Sequence, residues 1–147
     1  MAKPQKQSVA LVIPSPNDPS EILAVLRPLD DDELPGLWGL PAGSLKGNET
    51  AEGAARRVAR DKLGITLHGL EPIAVGDQER PAYCITMTLF RGYLAGGAPT
   101  LPAKQEEASV TYYADWRWSR PATLEEGALR GSLCCQLCLQ HYQTSLR

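Results

Sequence analysis

The stretch that most constrains the fold is residues 37–65, where an apolar approach rich in glycine and proline leads through a polar loop into a helical pattern. Thr50 precedes the helix formers, and its hydroxyl can accept from the free amides of a first turn. Gly64 stands where a left-handed residue is expected after a helix. The pattern therefore predicts a helix from Ala51 to Leu63, behind a loop large enough to hold a phosphate.

Apolar runs on both sides of this helix predict a sheet. Predicted strands cover residues 8–14, 21–27, 67–75, 83–94 and 110–118, a charged turn covers 76–81, and a last helix covers 132–146. Strands around a central helix, with a closing helix, predict an α/β fold: an α/β/α sandwich with a mixed central sheet between helices. A chain of 147 residues without a repeat or a long linker suits one domain over residues 1–147.

Composition narrows the class of protein. A formal net charge of -2 gives no positive surface for duplex nucleic acid or a membrane. No apolar run approaches the roughly 18–20 residues that span a bilayer. The polar N-terminus lacks the apolar core of a signal peptide, so a cytoplasmic location is expected. Cys134, Cys135 and Cys138 lack a second pair that would complete a four-ligand site, and we expect reduced, packed thiols.

Residues 43–65 carry glycines, charges and apolar residues at fixed spacing. The set is Gly43, Glu49, Arg57, Ala59, Gly64 and Ile65, with five residues between the first two and seven between the next two. This spacing resembles the signature box of the Nudix hydrolase family. The lead-in from Trp38 to Gly43 resembles the family's approach to the box, and Arg27 at a strand end is typical of it. The resemblance spans most of the chain.

The resemblance implies an enzyme that hydrolyses the diphosphate of a nucleoside diphosphate-linked small molecule, with water as nucleophile and Mg²⁺ or Mn²⁺ as cofactor. It assigns catalytic roles to Glu49, Arg57 and Asp61, with Glu49 and Asp61 also binding the metal. A later loop often adds an acid in this family, and Glu106 and Glu107 are the candidates for that metal ligand. The candidate substrate contacts are Arg27, which is typical of the family, Trp38, whose ring could stack on a base, and Lys62, whose ammonium could bind phosphate.

The box departs from the family where the helix should supply acids. Val58 and Lys62 stand where the family has glutamates, Asp61 is a shorter acid than usual, and the often acidic position 46 is Lys46. At about 100° per residue, positions 58, 61 and 62 share one helix face. Hard cations need several oxygen ligands there. A protonated lysine has no acceptor and repels Mg²⁺, so the predicted metal site is weakened or absent.

Each of these positions also has a structural interpretation. Val58 widens the buried stripe of the helix, or marks a lost ligand. Asp61 pairs with Arg57 across one turn, or remains a ligand. Lys62 points to solvent, or places its ammonium where a metal would lie and binds phosphate directly. Glu49 is a ligand, or an acid that favours the helix dipole. Glu106 and Glu107 are a solvated loop pair, or ligands.

Two functions follow from the sequence. The first is a divergent Nudix-type hydrolase with an impaired metal site. The alternative is a catalytically inactive Nudix-fold domain that binds a phosphate-bearing ligand. A homodimer formed through a sheet edge is a third, structural possibility.

Overall fold

The computed structural model describes residues 3–31, 33–102 and 112–145. The strands are β1 (Gln5–Val12), β2 (Ile22–Leu26), β3 (Trp38–Gly39), β4 (Ala42–Ser44), β5 (Leu67–Glu79), β6 (Cys84–Leu94) and β7 (Asp115–Ser119). The helices are α1 (Ala51–Leu63), α2 (Glu125–Leu129) and α3 (Leu133–Ser145), and a 3₁₀ turn, Pro121–Leu124, precedes α2. None of the helices in the described ranges is long and apolar enough to cross a bilayer.

The strands form two sheets with helices packed around them, which confirms the predicted α/β class. A mixed four-stranded sheet has the order β4-β1-β6-β5, in which β1 runs parallel to β6 and antiparallel to β4. A three-stranded sheet has the order β3-β2-β7. A bridge between Pro14 and Ile22 links the end of β1 to β2. Strand β4 lies at the edge of the four-stranded sheet and directly precedes the loop that enters α1.

Helix α1 begins and ends as its sequence predicts. The Thr50 hydroxyl accepts from the Gly53 amide at 3.0 Å, which satisfies a free donor of the first turn. Gly64 has φ of 62° and its amide donates to Arg60 O at 3.0 Å. A Cβ at Gly64 would lie 2.4 Å from Thr100 Oγ1. Glycine is thus required there both by the backbone conformation and by close packing.

The core lies in two clusters on the two sides of the sheets. One contains the inner face of α1, β1 residues such as Leu11, and β2 residues such as Val25. The other contains α3, with Cys134, Cys135 and Cys138 buried among apolar side chains. All described cysteines are free thiols. The prediction of reduced, packed cysteines on the last helix agrees with this arrangement.

Strand β5 is longer than its apolar pattern indicates. We predicted a turn at residues 76–81, but the strand continues to Glu79, which pairs with Cys84. β5 is the outer strand of its sheet, so charged side chains can face solvent without ending the strand. Asp77 accepts from Thr86 Oγ1 of β6 at 2.6 Å and stabilises this extension. Gly69, with φ of 61°, lies at an irregularity in the pairing.

Candidate functional site

The loop before α1 is held by an ion pair between the two charged box residues that the chain retains. Arg57 donates from Nε to Glu49 Oε2 at 2.8 Å and from Nη2 to Glu49 Oε1 at 3.0 Å. The same Nη2 donates to Ser44 O at 2.7 Å, and the Lys46 amide donates to Glu49 Oε1 at 3.0 Å. The hydrogen bond from Arg57 lowers the pKa of Glu49. Both side chains thus shape the loop.

A second ion pair lies where β2 ends. Arg27 donates from Nε and Nη2 to the two carboxylate oxygens of Asp31, each at 3.1 Å. The Asp31 side chain is only 5% exposed and also accepts from the Glu33 and Leu34 amides at 3.1 and 2.8 Å. Burial opposes ionisation of Asp31, but these hydrogen bonds outweigh it and lower the pKa of the carboxyl. The charged pair therefore persists at neutral pH.

Lys62 is a buried cation between these two pairs. Its residue is 9% exposed, and its Nζ donates to Ala42 O on β4 at 2.7 Å. The ammonium also lies 5.3 Å from the centre of the Tyr113 ring. Burial, followed by the neighbouring charges of Arg27, Arg57 and Lys46, lowers the pKa of Lys62 to about 8. The alternative in which Lys62 points to solvent is therefore wrong.

Tyr113 and Gly43 complete the wall around the ammonium. The Ala42 amide donates to the Tyr113 hydroxyl at 3.0 Å, and burial raises the pKa of that hydroxyl to about 12. A Cβ at Gly43 would lie 2.8 Å from Val58 Cγ2 and 3.9 Å from Lys62 Nζ. The absence of a side chain at position 43 therefore lets β4 lie directly against α1.

The other two box positions on the helix contribute no converging acids. Val58 is fully buried and belongs to the apolar cluster that contains the inner face of α1. Asp61 pairs with Arg60 at 2.9 Å, and its side chain is 52% exposed. Asp61 thus pairs with its neighbour on the helix surface. The role of Asp61 as a metal ligand stays a prediction.

Trp38 lies apart from Lys62. It is opposite Leu26 in the sheet, whereas the neighbouring Val25 faces the cluster that includes α1. Because strand side chains alternate between faces, Trp38 projects to the other face. Its ring stacks with the guanidinium of Arg117, whose central carbon lies 4.2 Å from the ring centre. The substrate contact suggested for Trp38 stays a prediction.

Sequence reasoning missed two residues that the structure brings to this site. Asp31 was not among the predicted site residues, although its spacing of four residues from Arg27 could have suggested a pair. Tyr113 falls within the predicted strand 110–118, and no local pattern shows that its hydroxyl reaches β4. Glu106 and Glu107 lie outside the described residues, so their predicted role as ligands stays a prediction.

The residues at this site do not fit a divalent cation. Val58 offers no oxygen, Lys62 brings a positive charge to the centre, and Asp61 is engaged at the surface. Hard cations such as Mg²⁺ prefer several oxygen ligands. Within residues 3–31, 33–102 and 112–145, no group of three or more histidine, cysteine, aspartate or glutamate side chains is arranged to hold a metal ion.

The fold and the loop–helix geometry define an α/β domain with a phosphate-sized loop between β4 and α1. The family model of the NUDIX domain matches residues 4–131. The chain therefore belongs to the NUDIX domain family. A comparison with curated proteins gave no match.

Solved structures share this fold at low sequence identity. The MutT protein of Methanosarcina mazei Go1 is 17% identical with a TM-score of 0.75, covering 100% of this chain and 99% of that one. A NUDIX hydrolase from Nitrosomonas europaea is 17% identical with a TM-score of 0.69, covering 99% and 92%. The NUDIX domain of Shewanella oneidensis NrtR, in complex with ADP ribose, is 16% identical with a TM-score of 0.65, covering 100% and 90%.

Proposed function

We propose that this NUDIX domain binds a phosphate-bearing ligand of the nucleoside diphosphate class without metal-dependent hydrolysis. One observation carries the proposal: the Lys62 ammonium is buried at the centre of the box and held by Ala42 O at 2.7 Å. Position 62 is where the family places an acid, so a fixed positive charge replaces a negative one. A positive charge there attracts the ligand's phosphate and repels its usual metal partner.

The repulsion is large enough to oppose cation binding. Two unit charges 4 Å apart interact by about 4 kcal/mol at an effective dielectric constant of 20, and a divalent ion doubles that value. Arg27, Arg57 and Lys46 add further positive potential, since each of them lowers the pKa of Lys62. The carboxylates of Glu49 and Asp31 are engaged by arginines. These arginines offset part of the negative charge that would attract a metal ion.

The same charges favour an anion. Arg27, Lys46 and Arg57 lie near Lys62, and two of these cations are paired with the carboxylates of Asp31 and Glu49. The remaining positive charge suits a diphosphate. Charge-assisted hydrogen bonds from lysine and arginine are the usual means by which proteins hold phosphate oxygens. The structurally similar NrtR domain was crystallised with ADP ribose, which makes ADP-ribose the first ligand to test.

The test is calorimetric titration of ADP-ribose and inorganic pyrophosphate in EDTA. We expect binding that weakens with added salt and falls about 10- to 100-fold in Lys62→Ala, because a charge-assisted hydrogen bond contributes roughly 1.5–3 kcal/mol. Arg60→Ala is the matched control, since it removes one positive charge from the exposed face of the same helix. Binding that requires Mg²⁺, or an equal loss in both variants, would overturn the proposal.

A divergent hydrolase is the second candidate, and the retained Glu49–Arg57 pair favours it. This function needs Mg²⁺ or Mn²⁺ held by Glu49, Asp61 and a loop acid such as Glu106 or Glu107. It is tested by assaying nucleoside diphosphate derivatives with each metal. Turnover that is lost in both Glu49→Ala and Asp61→Ala would favour the hydrolase over the binding domain. The Val58→Glu/Lys62→Glu variant should create or raise activity if only the acids are missing.

The expected cytoplasmic location and the homodimer both remain predictions. Size-exclusion chromatography with light scattering tests the dimer directly. A mass equal to one chain of 16.0 kDa across the working concentration range would contradict it.

A further inference from the structure

The segment between β2 and β3, described for residues 28–31 and 33–37, is connected both to the proposed ligand site and to a distant hairpin. At the site end, Asp31 accepts from Arg27 and from two amides of the segment itself. At both ends the backbone closes on itself: the Arg27 amide donates to Leu37 O at 2.9 Å, and the Gly36 amide donates to Arg27 O at 3.1 Å. The position of Asp31 thus follows the conformation of this segment.

Glu33 attaches the segment to the turn between β5 and β6. Its Oε2 accepts from Arg80 Nη1 at 2.7 Å, and its Oε1 accepts from the Tyr83 hydroxyl at 2.8 Å. These partners are 47 and 50 residues away along the chain. They are held together because the Arg80 amide donates to Tyr83 O at 2.8 Å. One carboxylate therefore joins two parts of the fold that lie far apart in the sequence.

At the hairpin, Arg80 and Tyr83 are held by burial and by contacts with residues near the N-terminus. The Arg80 side chain is only 19% exposed, and its Nε is buried with no hydrogen-bond partner among the described residues. Lys6 lies 4.3 Å above the Tyr83 ring, and Lys3 donates to Arg80 O at 2.9 Å. A partly desolvated guanidinium needs an acceptor. Glu33 supplies it, so releasing Glu33 leaves the arginine poorly compensated.

We propose that Glu33 is a positioning residue for ligand binding, because its bonds to Arg80 and Tyr83 fix the segment whose Asp31 orients Arg27. The effect on ligand binding rests on the proposed function. The effect of Glu33 on the Arg27–Asp31 pair does not. The side chain of Glu33 bonds to Arg80 and Tyr83, which lie outside the proposed ligand site, so in this proposal it acts through Asp31 and then through Arg27. Loss of Glu33 should therefore loosen the Arg27–Asp31 pair and leave the Arg57–Glu49 pair unchanged.

The mechanical part is tested by the hydrogen-exchange rate of the Arg27 Nε–H proton in NMR spectra. Glu33→Ala should raise this rate about tenfold, the change expected from losing a charged hydrogen bond that supports the pair. Tyr83→Phe, which removes one of the two bonds, should raise it less. The Arg57 Nε–H proton is the internal reference, and Glu126→Ala, in an exposed pair with Arg130, is the matched control variant.

The binding part is tested by titrating ADP-ribose into the same variants. Glu33→Ala should weaken binding several-fold in the wild-type background and have no further effect when Arg27 is already alanine. Unchanged Arg27 exchange in Glu33→Ala would overturn the inference, as would equal acceleration at Arg57. If wild-type protein binds neither ADP-ribose nor pyrophosphate, the proposed function fails, and the Arg27 exchange rates still decide whether Glu33 positions Arg27.

Discussion

The box has two halves, the loop half from Gly43 to Arg57 and the helix half from Val58 to Ile65. They differ in how many of the family's residues they keep. In the first half, Glu49 and Arg57 keep the loop geometry through bonds to each other and to the backbone at Ser44 and Lys46. In the second half, Val58 is fully buried and Lys62 is bonded to Ala42 O. The loop is built as the family spacing predicts, whereas the helix face that should carry acids is apolar and cationic.

The difference shows that the loop conformation can be kept while the side chains that would bind a metal are changed. The loop depends on hydrogen bonds that position backbone atoms, and those survive changes on the neighbouring helix face. Metal affinity depends on the identity of a few side chains, since an oxygen ligand cannot be replaced by a methyl group or an ammonium. Substitutions that distinguish shape from charge can therefore test each half separately.

The largest effect concerns the charge of Lys62 and appears as a pH dependence of stability. The unfolded chain holds this proton up to its ordinary pKa of 10.5, whereas the folded chain releases it at about 8. The unfolded state thus binds more protons between these values, and stability rises with pH across that window. The rise attributable to Lys62 is about 3 kcal/mol, at 1.36 kcal/mol per pKa unit.

Lys62→Met should abolish that part of the rise, because it removes the titrating group and keeps an unbranched side chain. Urea denaturation of both proteins at several pH values from 7 to 10.5 measures it. Other groups titrate equally in the two proteins, so the difference between their curves isolates Lys62. Parallel curves would show that the ammonium is not desolvated, and the contrast between the two halves would disappear.

The next effect tests the contact that joins the halves. Gly43→Ala should destabilise the fold by about 2 kcal/mol, the usual cost of overpacking, because its Cβ would lie 2.8 Å from Val58 Cγ2. Adding Val58→Ala should recover part of that loss, although Val58→Ala alone is destabilising. Denaturation of the two single variants and the double variant gives the coupling energy. Simple additivity would mean that position 43 does not pack on position 58.

A smaller effect is expected in the loop half. Arg57→Ala should cost about 1 kcal/mol, since hydrogen bonds to Glu49 and Ser44 O are lost but the pair remains partly solvated. Chemical denaturation measures the change, with Arg60→Ala as the control on the same helix. A loss equal to that of the control would indicate that the loop holds its shape without this ion pair.

The smallest effect is expected at Asp61. Its side chain is half-exposed and paired with the adjacent Arg60, and exposed pairs of this kind contribute little. Asp61→Ala should change the free energy of unfolding by less than about 0.5 kcal/mol and leave ADP-ribose binding in EDTA unchanged. A marked loss of binding in EDTA would mean that Asp61 contacts the ligand directly, whereas a loss seen only with Mg²⁺ would favour the hydrolase.

The sequence predicted the helix, its two ends and the α/β class because these depend on local signals. Thr50 and Gly64 are cap residues whose preference is set by nearby backbone groups. The continuation of β5 to Glu79 was missed, since pairing with β6 and an outer position decide it, not apolar periodicity.

The candidate site was predictable only in part. The spacing from Gly43 to Arg57 indicated the loop. The partner of Asp61 was left open between Arg57 and a metal, whereas the structure pairs it with Arg60. Tyr113 reaches Ala42 across 71 residues of sequence, a separation at which no local pattern operates. The burial of Lys62 likewise follows from how β4 lies against α1, which requires the tertiary structure.

The acceptor chosen by Lys62 has a consequence for how the chain tolerates mutation. Because Ala42 offers its main-chain oxygen, every amino acid at that position retains the group that Lys62 binds. An ion pair can be broken by a change at either of two codons, whereas this contact is removed directly only by a change at codon 62. Substitutions at position 42 would therefore keep the main-chain oxygen that Lys62 binds. For this reason, positions 42 and 62 need not covary among relatives.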